Sequence, residues 1–490
     1  MHVVIIGAYG SAGVAVAERL SSHVGENREL DRLTLVDDGE PGGGLCILRG
    51  CMPSKEVLSA ASHRYQARHD ERLVGEPPEM DLDAVVSRKD EHISNFAGHR
   101  RSAVHSIAER DGVEFVHGTG AFVDDHRVRI DPTDDGRGTV DRREPYEVDA
   151  DYVVVATGSS VNVPDLDGID DVDFLTSADV LDATELPDSG VVMGFGYVGI
   201  ELVPYLAEAG VDLTVVEHDD RPLDEADPEF GEELLSMYRE EWDVEVLTNT
   251  HEQSVERTDD GGVRLHVEHH GDGSALAEPT ERVVDADELF LFTGRRPTVD
   301  RLGLEHTPLE PEEGWVEDTM RARDDDRTFV VGDVNGKEPI LHVAKEQGYA
   351  AADNILADVR GEPLEEYQPL HHHVMFSGAA VYPFARVGHS RRTAEKRDLD
   401  YLAVSREAAD DGVFKTKNAS RGRATLVVDA ADGTVLGYQG LHYHADVMAK
   451  TMQVAVKERM DVRDLPDRAY HPTTPEILDG LFREAKAKLD

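Results

Sequence analysis

An α/β fold is predicted, with two dinucleotide-binding units and an α+β C-terminal domain, and three observations predict it. One local grammar occurs twice: strand, glycine-rich turn, helix, and a strand that ends in an acid. Apolar runs of strand length alternate with helical segments before residue 361. Beyond Gly361-Glu362-Pro363 the pattern changes to strands followed by helices.

The first copy comprises the strand Val3–Ile6, the turn Gly7-Ala8-Tyr9-Gly10-Ser11-Ala12-Gly13, a helix over Val14–Leu20, and the strand Leu33–Val36 closed by Asp37. The second comprises Val191–Met193, Gly194-Phe195-Gly196-Tyr197-Val198-Gly199, a helix over Ile200–Ala209, and Leu213–Val216 closed by Glu217. Small residues let backbone approach a pyrophosphate at a helix N-terminus, and the closing acid can take a ribose hydroxyl. The second copy fits this fingerprint fully, with Glu217 18 residues beyond Gly199. In the first, Tyr9 reads as a one-residue insertion into Gly-Ala-Gly-Ser-Ala-Gly. Further strand-rich stretches are Gly112–Ile130, Tyr152–Gly158, Val263–His270 and Glu288–Thr293, whereas the polar segments 131–149 and 271–287 read as loops.

With 100 acidic and 50 basic residues the net charge is −50, and the acid is spread along the chain rather than gathered in a tail. Dispersed acid makes a negative surface, which repels itself in dilute buffer and is screened in a cell that accumulates molar salt. Such a surface excludes nucleic acid and anionic membranes as partners. No apolar run approaches the ~20 residues of a membrane span. The N-terminus leads into the first strand without a basic, signal-like stretch, so a cytoplasmic protein is expected.

The chain has two cysteines, Cys46 and Cys51, five positions apart in Gly42-Gly43-Gly44-Leu45-Cys46-Ile47-Leu48-Arg49-Gly50-Cys51-Met52-Pro53-Ser54-Lys55. Two sulfurs without a histidine pattern make a poor zinc site, so no metal is expected there. His371-His372-His373 cannot all face one ion from a strand and read as solvent-exposed. The Pro-Ser-Lys that follows Cys51 puts both sulfurs at a helix start, where a thiolate is stabilised. A thiolate attacks disulfides, and a thiol does not.

This segment resembles the redox loop of the class I pyridine nucleotide-disulfide oxidoreductases, the flavoprotein family of glutathione reductase, dihydrolipoamide dehydrogenase and mercuric reductase. The resemblance runs the length of the chain. It includes Ala156-Thr157-Gly158-Ser159, Thr293-Gly294-Arg295-Arg296-Pro297, Val331-Gly332-Asp333-Val334 and Tyr470-His471-Pro472-Thr473-Thr474-Pro475-Glu476. It implies two Rossmann-like domains for FAD and NAD(P) and a dimerisation domain. The expected boundaries are 1–160 and 288–365 for FAD, 161–287 for NAD(P), and 366–490 for dimerisation. FAD would be held by Gly7, Gly10, Ser11, Gly13, Asp37, Gly44, Lys55, Thr157, Gly158, Gly332 and Asp333. The nicotinamide nucleotide would be held by Gly194, Gly196, Tyr197, Gly199, Glu217, Arg221 and Gly294.

The resemblance also implies the catalytic roles. Cys51 is the charge-transfer thiolate beside the flavin, and Cys46 is the interchange thiol. Lys55 pairs with Glu201 near the flavin, and Tyr197 covers the nicotinamide side. His471, oriented by Glu476, reaches in from the partner subunit of a homodimer and handles the thiol proton. A histidine near its free pKa of ~6.5 beside a carboxylate suits that task.

The absence of further cysteines argues against mercuric-reductase or thiol-relay chemistry. Arg49 in the redox loop suits a carboxylate-bearing substrate. Glu18 stands where glutathione reductase carries an arginine that reads glycine, so the substrate expected is bis-γ-glutamylcystine, the disulfide of the thiol of salt-accumulating archaea, reduced to two γ-glutamylcysteine. Dihydrolipoamide dehydrogenase is the runner-up, and a non-catalytic flavoprotein scaffold is a reading of another class. Glu217 favours NADH, while Arg221 and a thiol-pool role incline the choice to NADPH.

The charge generates a test. In potassium chloride from 0.1 to 4 M, the thermal midpoint followed by flavin fluorescence is expected to rise steeply, because repulsion reaches ~30 Å at 0.01 M and is screened within ~3 Å at 1 M. A flat midpoint would contradict the salt-adapted reading.

Overall fold

The structure, a computed structural model, describes the chain except residues 40, 41, 134, 135, 141, 272–278, 371, 372, 375–379, 469 and 490, with backbone alone at 373 and 374. The histidine run at 371–373 therefore lies outside the side chains described. The chain divides into two compact units: residues 1–53, 89–162 and 295–369, and residues 54–88, 163–294 and 370–490.

The first unit is built on a seven-stranded sheet. Its strands include β1 (His2–Ile6), β2 (Arg32–Asp37), β3 (Val113–Asp124), β4 (Arg127–Pro132), β5 (Tyr146–Asp149) and β6 (Tyr152–Val155). The order is Thr328–Val330, β6, β1, β2, β3, β4, β5. The strands from Thr328–Val330 to β3 pair in parallel, and β3, β4 and β5 pair antiparallel. Val3, Val4 and Ile5 of β1 are fully buried, as expected for a central parallel strand covered on both faces. Helix α1 (Ser11–Leu20) covers one face and packs on Leu341–Arg360. That contact is close because Gly348 lies against the backbone of Ala12, where a Cβ would meet Ala12 O at 2.5 Å. The redox segment follows as two helices, α2 (Gly44–Leu48) and α3 (Cys51–His69), and α4 (Leu82–Ala108) completes the region.

The second unit contains a five-stranded parallel sheet, ordered Glu245–Leu247, Asp212–Val216, Ser189–Met193, Glu288–Leu291, Leu175–Thr176. A three-stranded antiparallel sheet joins Thr250–Arg257, Val263–His269 and Thr280–Ala286. A five-stranded antiparallel sheet, with the helices Ala445–Lys457 and Glu476–Leu489 against it, forms the C-terminal α+β part. Among the described residues no helix is long and apolar enough to cross a membrane.

Two sequence expectations need correction. The polar segments 131–149 and 271–287 were expected as loops, yet they contain β5 and the strand Thr280–Ala286. Both are edge strands that bury little: in Thr280–Ala286 only Val284 is buried, so neither shows the apolar signature of a core strand. The dispersed acid is also not all superficial. Asp325 is buried and accepts from the Thr328 hydroxyl at 2.6 Å, and Asp411 is buried against Arg406 at 2.7 Å.

Glu208 is a buried acid of the second unit. Its carboxylate takes Arg68 at 2.8 Å, Trp242 Nε1 at 2.8 Å, and Arg64, which joins α3 to the helix Tyr197–Glu208. With the Glu208 side chain 1% exposed, removing it strands two guanidinium groups. Glu208→Ala is expected to cost about 3–5 kcal/mol of stability, read as a lowered thermal midpoint in molar salt. A midpoint within a degree of the parent's would contradict this clamp.

Candidate active site

The two dinucleotide turns can be compared atom by atom. Gly7 and Gly194 both adopt positive φ, 97° and 94°, and a Cβ at either would strike the Ala156 or Phe292 carbonyl at 2.3 or 2.7 Å. Gly13 and Gly199 both lie on the first glycine's oxygen, where a Cβ would come within 2.1 and 2.5 Å. Gly10 and Gly196 are both helix N-caps. Between these shared points the closing acids do the same work: Asp37 accepts the Tyr9 N–H at 2.8 Å, and Glu217 the Phe195 N–H at 2.7 Å. Tyr9 therefore corresponds to Phe195, and the extra residue is Ala8. Sequence reading assigned the insertion to Tyr9 because its removal leaves Gly-Ala-Gly-Ser-Ala-Gly. The structure instead buries both aromatics, Tyr9 against Phe115 and Phe195 against Tyr238. Burial pushes the Asp37 carboxyl up to about 6, against the pull of its two backbone N–H donors, Tyr9 and Gly39.

Helix α1 begins beyond Gly10 with no side-chain cap, which leaves its first N–H groups for a ligand anion. They face an open cavity whose lining includes Gly10, Ser11, Gly44, Cys46, Cys51 and Asp333. Gly44 closes on the turn so tightly that a Cβ there would lie 2.9 Å from Gly10 Cα, and this contact brings the redox segment to the cavity. Asp333 accepts from Ser159 at 2.6 Å, and Arg295 donates to Ser159 at 2.8 Å. Thr157 donates to the Thr298 carbonyl at 2.7 Å, and Gly332 N–H donates to Gln347 at 2.8 Å. A phosphate-ready helix terminus, a close-packed glycine wall and a carboxylate in one cavity fit an FAD molecule.

The cysteines differ from expectation. They do not share one helix start: Cys46 lies inside α2, and Cys51 opens α3 after a break at Arg49-Gly50. Both are free thiols, Cys46 half-buried and Cys51 exposed, and they hydrogen-bond to one another. That bond, then burial, holds the Cys46 thiol well above the ordinary range, while the Cys51 backbone N–H and Arg100 pull weakly the other way. Helix-start stabilisation therefore does not prevail at Cys46. Arg49 is exposed at the end of α2, and the cation that acts on Cys46 is Arg100 of α4, which sequence reading missed. Glu18 is exposed and accepts from the Tyr349 hydroxyl at 2.9 Å.

In the second unit Lys55 Nζ donates to Glu201 Oε1 at 2.5 Å. Tyr197 is the first residue of its helix, and Gly294 adopts positive φ. Glu217 also accepts the Asp219 N–H at 3.0 Å, and Arg221 is paired with Asp220 at 2.5 Å. His471 Nδ1 lies 3.0 Å from Glu476 Oε1, which also accepts the Thr473 N–H at 2.9 Å. The His471 side chain is 81% exposed, so its ring is fixed on one side and open on the other.

Comparison with known proteins places this geometry. Residues 1–348 match the pyridine nucleotide-disulphide oxidoreductase family, and residues 378–481 match the dimerisation domain of that family. The chain belongs to this family. It is similar to dihydrolipoyl dehydrogenase of Halobacterium salinarum, 29% identical over 91% of this chain and 89% of the relative. It is also similar to mercuric reductase of Streptomyces lividans, 28% identical over 90% and 88%. In fold it resembles LpdA of Mycobacterium tuberculosis (TM-score 0.80, 23% identical, 99% of both chains). The HOCl-induced flavoprotein disulfide reductase RclA of Escherichia coli shares that fold (TM-score 0.78, 21% identical, 99% of both chains). The chain is thus an FAD-dependent, NAD(P)H-linked disulfide oxidoreductase, and its dimerisation domain implies a homodimer.

The turn geometry makes a prediction. Gly13→Ala is expected to abolish FAD retention, read as flavin absorbance per polypeptide after gel filtration in molar salt. Gly25→Ala, at an open positive-φ turn of the same unit, is expected to keep it. Full flavin in Gly13→Ala would contradict the packing argument.

Proposed function

We propose that this protein reduces a small carboxylate-bearing disulfide, bis-γ-glutamylcystine, to two thiols through Cys46 and Cys51. The observation that carries the reading is the Cys46–Cys51 contact on the cavity shared with Gly10, Ser11 and Asp333. Residues 1–160 and 288–365 are read as the FAD domain, 161–287 as the NAD(P) domain and 366–490 as the dimerisation domain. Bound FAD supplies the two-electron relay between pyridine nucleotide and the cysteine pair.

The chain's own residues supply the rest. Cys46 attacks one sulfur of the substrate, which forms a mixed disulfide and expels the first thiolate. Cys51 then attacks Cys46, which releases the second thiolate and closes the Cys46–Cys51 disulfide. Each leaving thiolate needs a proton, and Cys46, whose thiol is held high, must first lose one. His471 of the partner subunit handles these protons, and Glu476 holds its Nδ1 so that Nε2 faces outward. Lys55 and Glu201 form a fixed ion pair on the side that receives the nucleotide, and Tyr197 covers that side.

The nucleotide is read as NADH. Of the two supports that inclined the sequence reading to NADPH, a thiol-pool role and Arg221, the second is weakened because Arg221 already has a carboxylate partner, and Glu217 and Asp219 would repel a 2′-phosphate. A cytoplasmic location agrees with a thiol-reducing role.

Initial rates in molar salt with bis-γ-glutamylcystine, glutathione disulfide, cystine and lipoamide, each with NADH and NADPH, test the reading. Bis-γ-glutamylcystine with NADH is expected to lead. Cys46→Ser and Cys51→Ser are expected to abolish turnover with FAD retained, and His471→Ala to slow the disulfide half-reaction ~10²–10⁴-fold. Lipoamide as the leading substrate would make the chain a dihydrolipoamide dehydrogenase and overturn the substrate assignment.

A further inference from the structure

The geometry points to Arg100 as the residue that selects anionic substrates, by pairing with a carboxylate of the disulfide that Cys46 attacks. The inference rests on the assignment of Cys46 as the attacking thiol. Arg100 stands on α4, and its Nη1 donates to the Tyr9 carbonyl at a long 3.4 Å. Tyr9 precedes Gly10, the residue on which Gly44 closes, so the guanidinium is bonded to the same turn against which the redox segment packs. Among the described residues, Cys46 and Glu18 are the ionisable groups that act on its charge.

The partners of Arg100 set it apart. Other half-buried arginines of this acid-rich chain are firmly engaged, most by a carboxylate in contact, as Arg68 with Glu208 at 2.8 Å, Arg406 with Asp411 at 2.7 Å and Arg421 with Glu233 at 3.1 Å, and Arg295 by the Ser159 hydroxyl at 2.8 Å and the Ser159 carbonyl. Arg100 has no ion pair among the described residues, and its single neutral hydrogen bond is weak. Glu18, the one acid close enough to influence it, is bonded to Tyr349 instead. A desolvated cation without a counter-ion costs stability, which an arriving carboxylate restores through two parallel N–H···O bonds. Burial already works against the charge of Arg100, so the gain on pairing is larger than at an exposed site.

The net charge sharpens the requirement. An anion approaches a molecule of charge −50 against its field, and in molar salt that field is confined to ~3 Å. Selection for anions under those conditions therefore requires contact with a cation, and the exposed Arg49 is the weaker candidate for it. The substrate class that fits is a small disulfide whose carboxylates lie within a few bonds of the sulfurs, as in disulfides built from cysteine.

The test uses reduced holoenzyme in 2 M potassium chloride. Iodoacetate and iodoacetamide place the same electrophile beside a carboxylate or an amide, and peptide mapping locates the label. The iodoacetate-to-iodoacetamide rate ratio at Cys46 is expected to fall about tenfold or more in Arg100→Leu, with partial recovery in Arg100→Lys. In turnover, the ratio of kcat/KM for 3,3′-dithiodipropionate to that for its diamide is expected to fall about 10- to 100-fold, because the influence of Arg100 on the thiol is common to both substrates, while FAD content holds. An unchanged ratio with the label on Cys46 would overturn the role of Arg100 and leave the attacking thiol as assigned. Equal losses with acid and amide would show that Arg100 acts on the thiol or the fold, and would also overturn it. Loss of FAD from the variant would reassign the guanidinium to the cofactor. A label confined to Cys51 would overturn the assignment of the attacking thiol on which the inference stands.

Discussion

The hydrogen bond between the Cys46 and Cys51 thiols is the constraint on which the rest of the site depends. Two sulfurs can exchange an electron pair only if they can come within bonding distance, and a continuous helix would set residues five apart at different angles around its axis. The chain solves this by breaking the helix at Arg49-Gly50, so that Cys46 sits in α2 and Cys51 opens α3. Within the first unit the start of this loop is fixed where Gly44 closes on Gly10.

The pair comes with a chemical cost. Its mutual hydrogen bond and the burial of Cys46 favour the protonated dithiol, so reactivity cannot come from a helix terminus alone. Something must take the proton. The His471–Glu476 pair has the form for it: a ring anchored through Nδ1 to a carboxylate that a backbone N–H also fixes, with its other face open. Arg100 offers a second influence of opposite sign to burial, and among the described residues it has no ion pair, which is the basis of the role proposed for it.

Much of this was legible in the sequence, where local chemistry dictates local shape. Both dinucleotide turns were readable because a positive φ at Gly7 and Gly194 and a close approach at Gly13 and Gly199 admit only glycine. The cysteine pair and the His-x4-Glu spacing stood out through their resemblance to the family's motifs, and their roles remain part of the proposal. What was not legible depends on tertiary contact. The extra residue of the first turn is Ala8 because Tyr9, not Ala8, meets Asp37 and fills the site Phe195 fills in the second copy. β5 and Thr280–Ala286 are polar because they are edge strands, and composition alone reads such segments as loops. Arg100 carries no motif: it is one of 50 basic residues, mid-helix, and only the fold brings α4 against the first dinucleotide turn.

The central claim, that the electron pair resides on Cys46 and Cys51 between nucleotide and substrate, has a direct measurement. The chain has only these two cysteines, so thiol counting is unambiguous. Air-oxidised holoenzyme is denatured and alkylated before and after one anaerobic equivalent of NADH, and again after one equivalent of bis-γ-glutamylcystine. The account predicts no labelled cysteine, then two per chain at Cys46 and Cys51, then none. Two labelled cysteines in the oxidised enzyme, or none after NADH reduces the flavin, would contradict it.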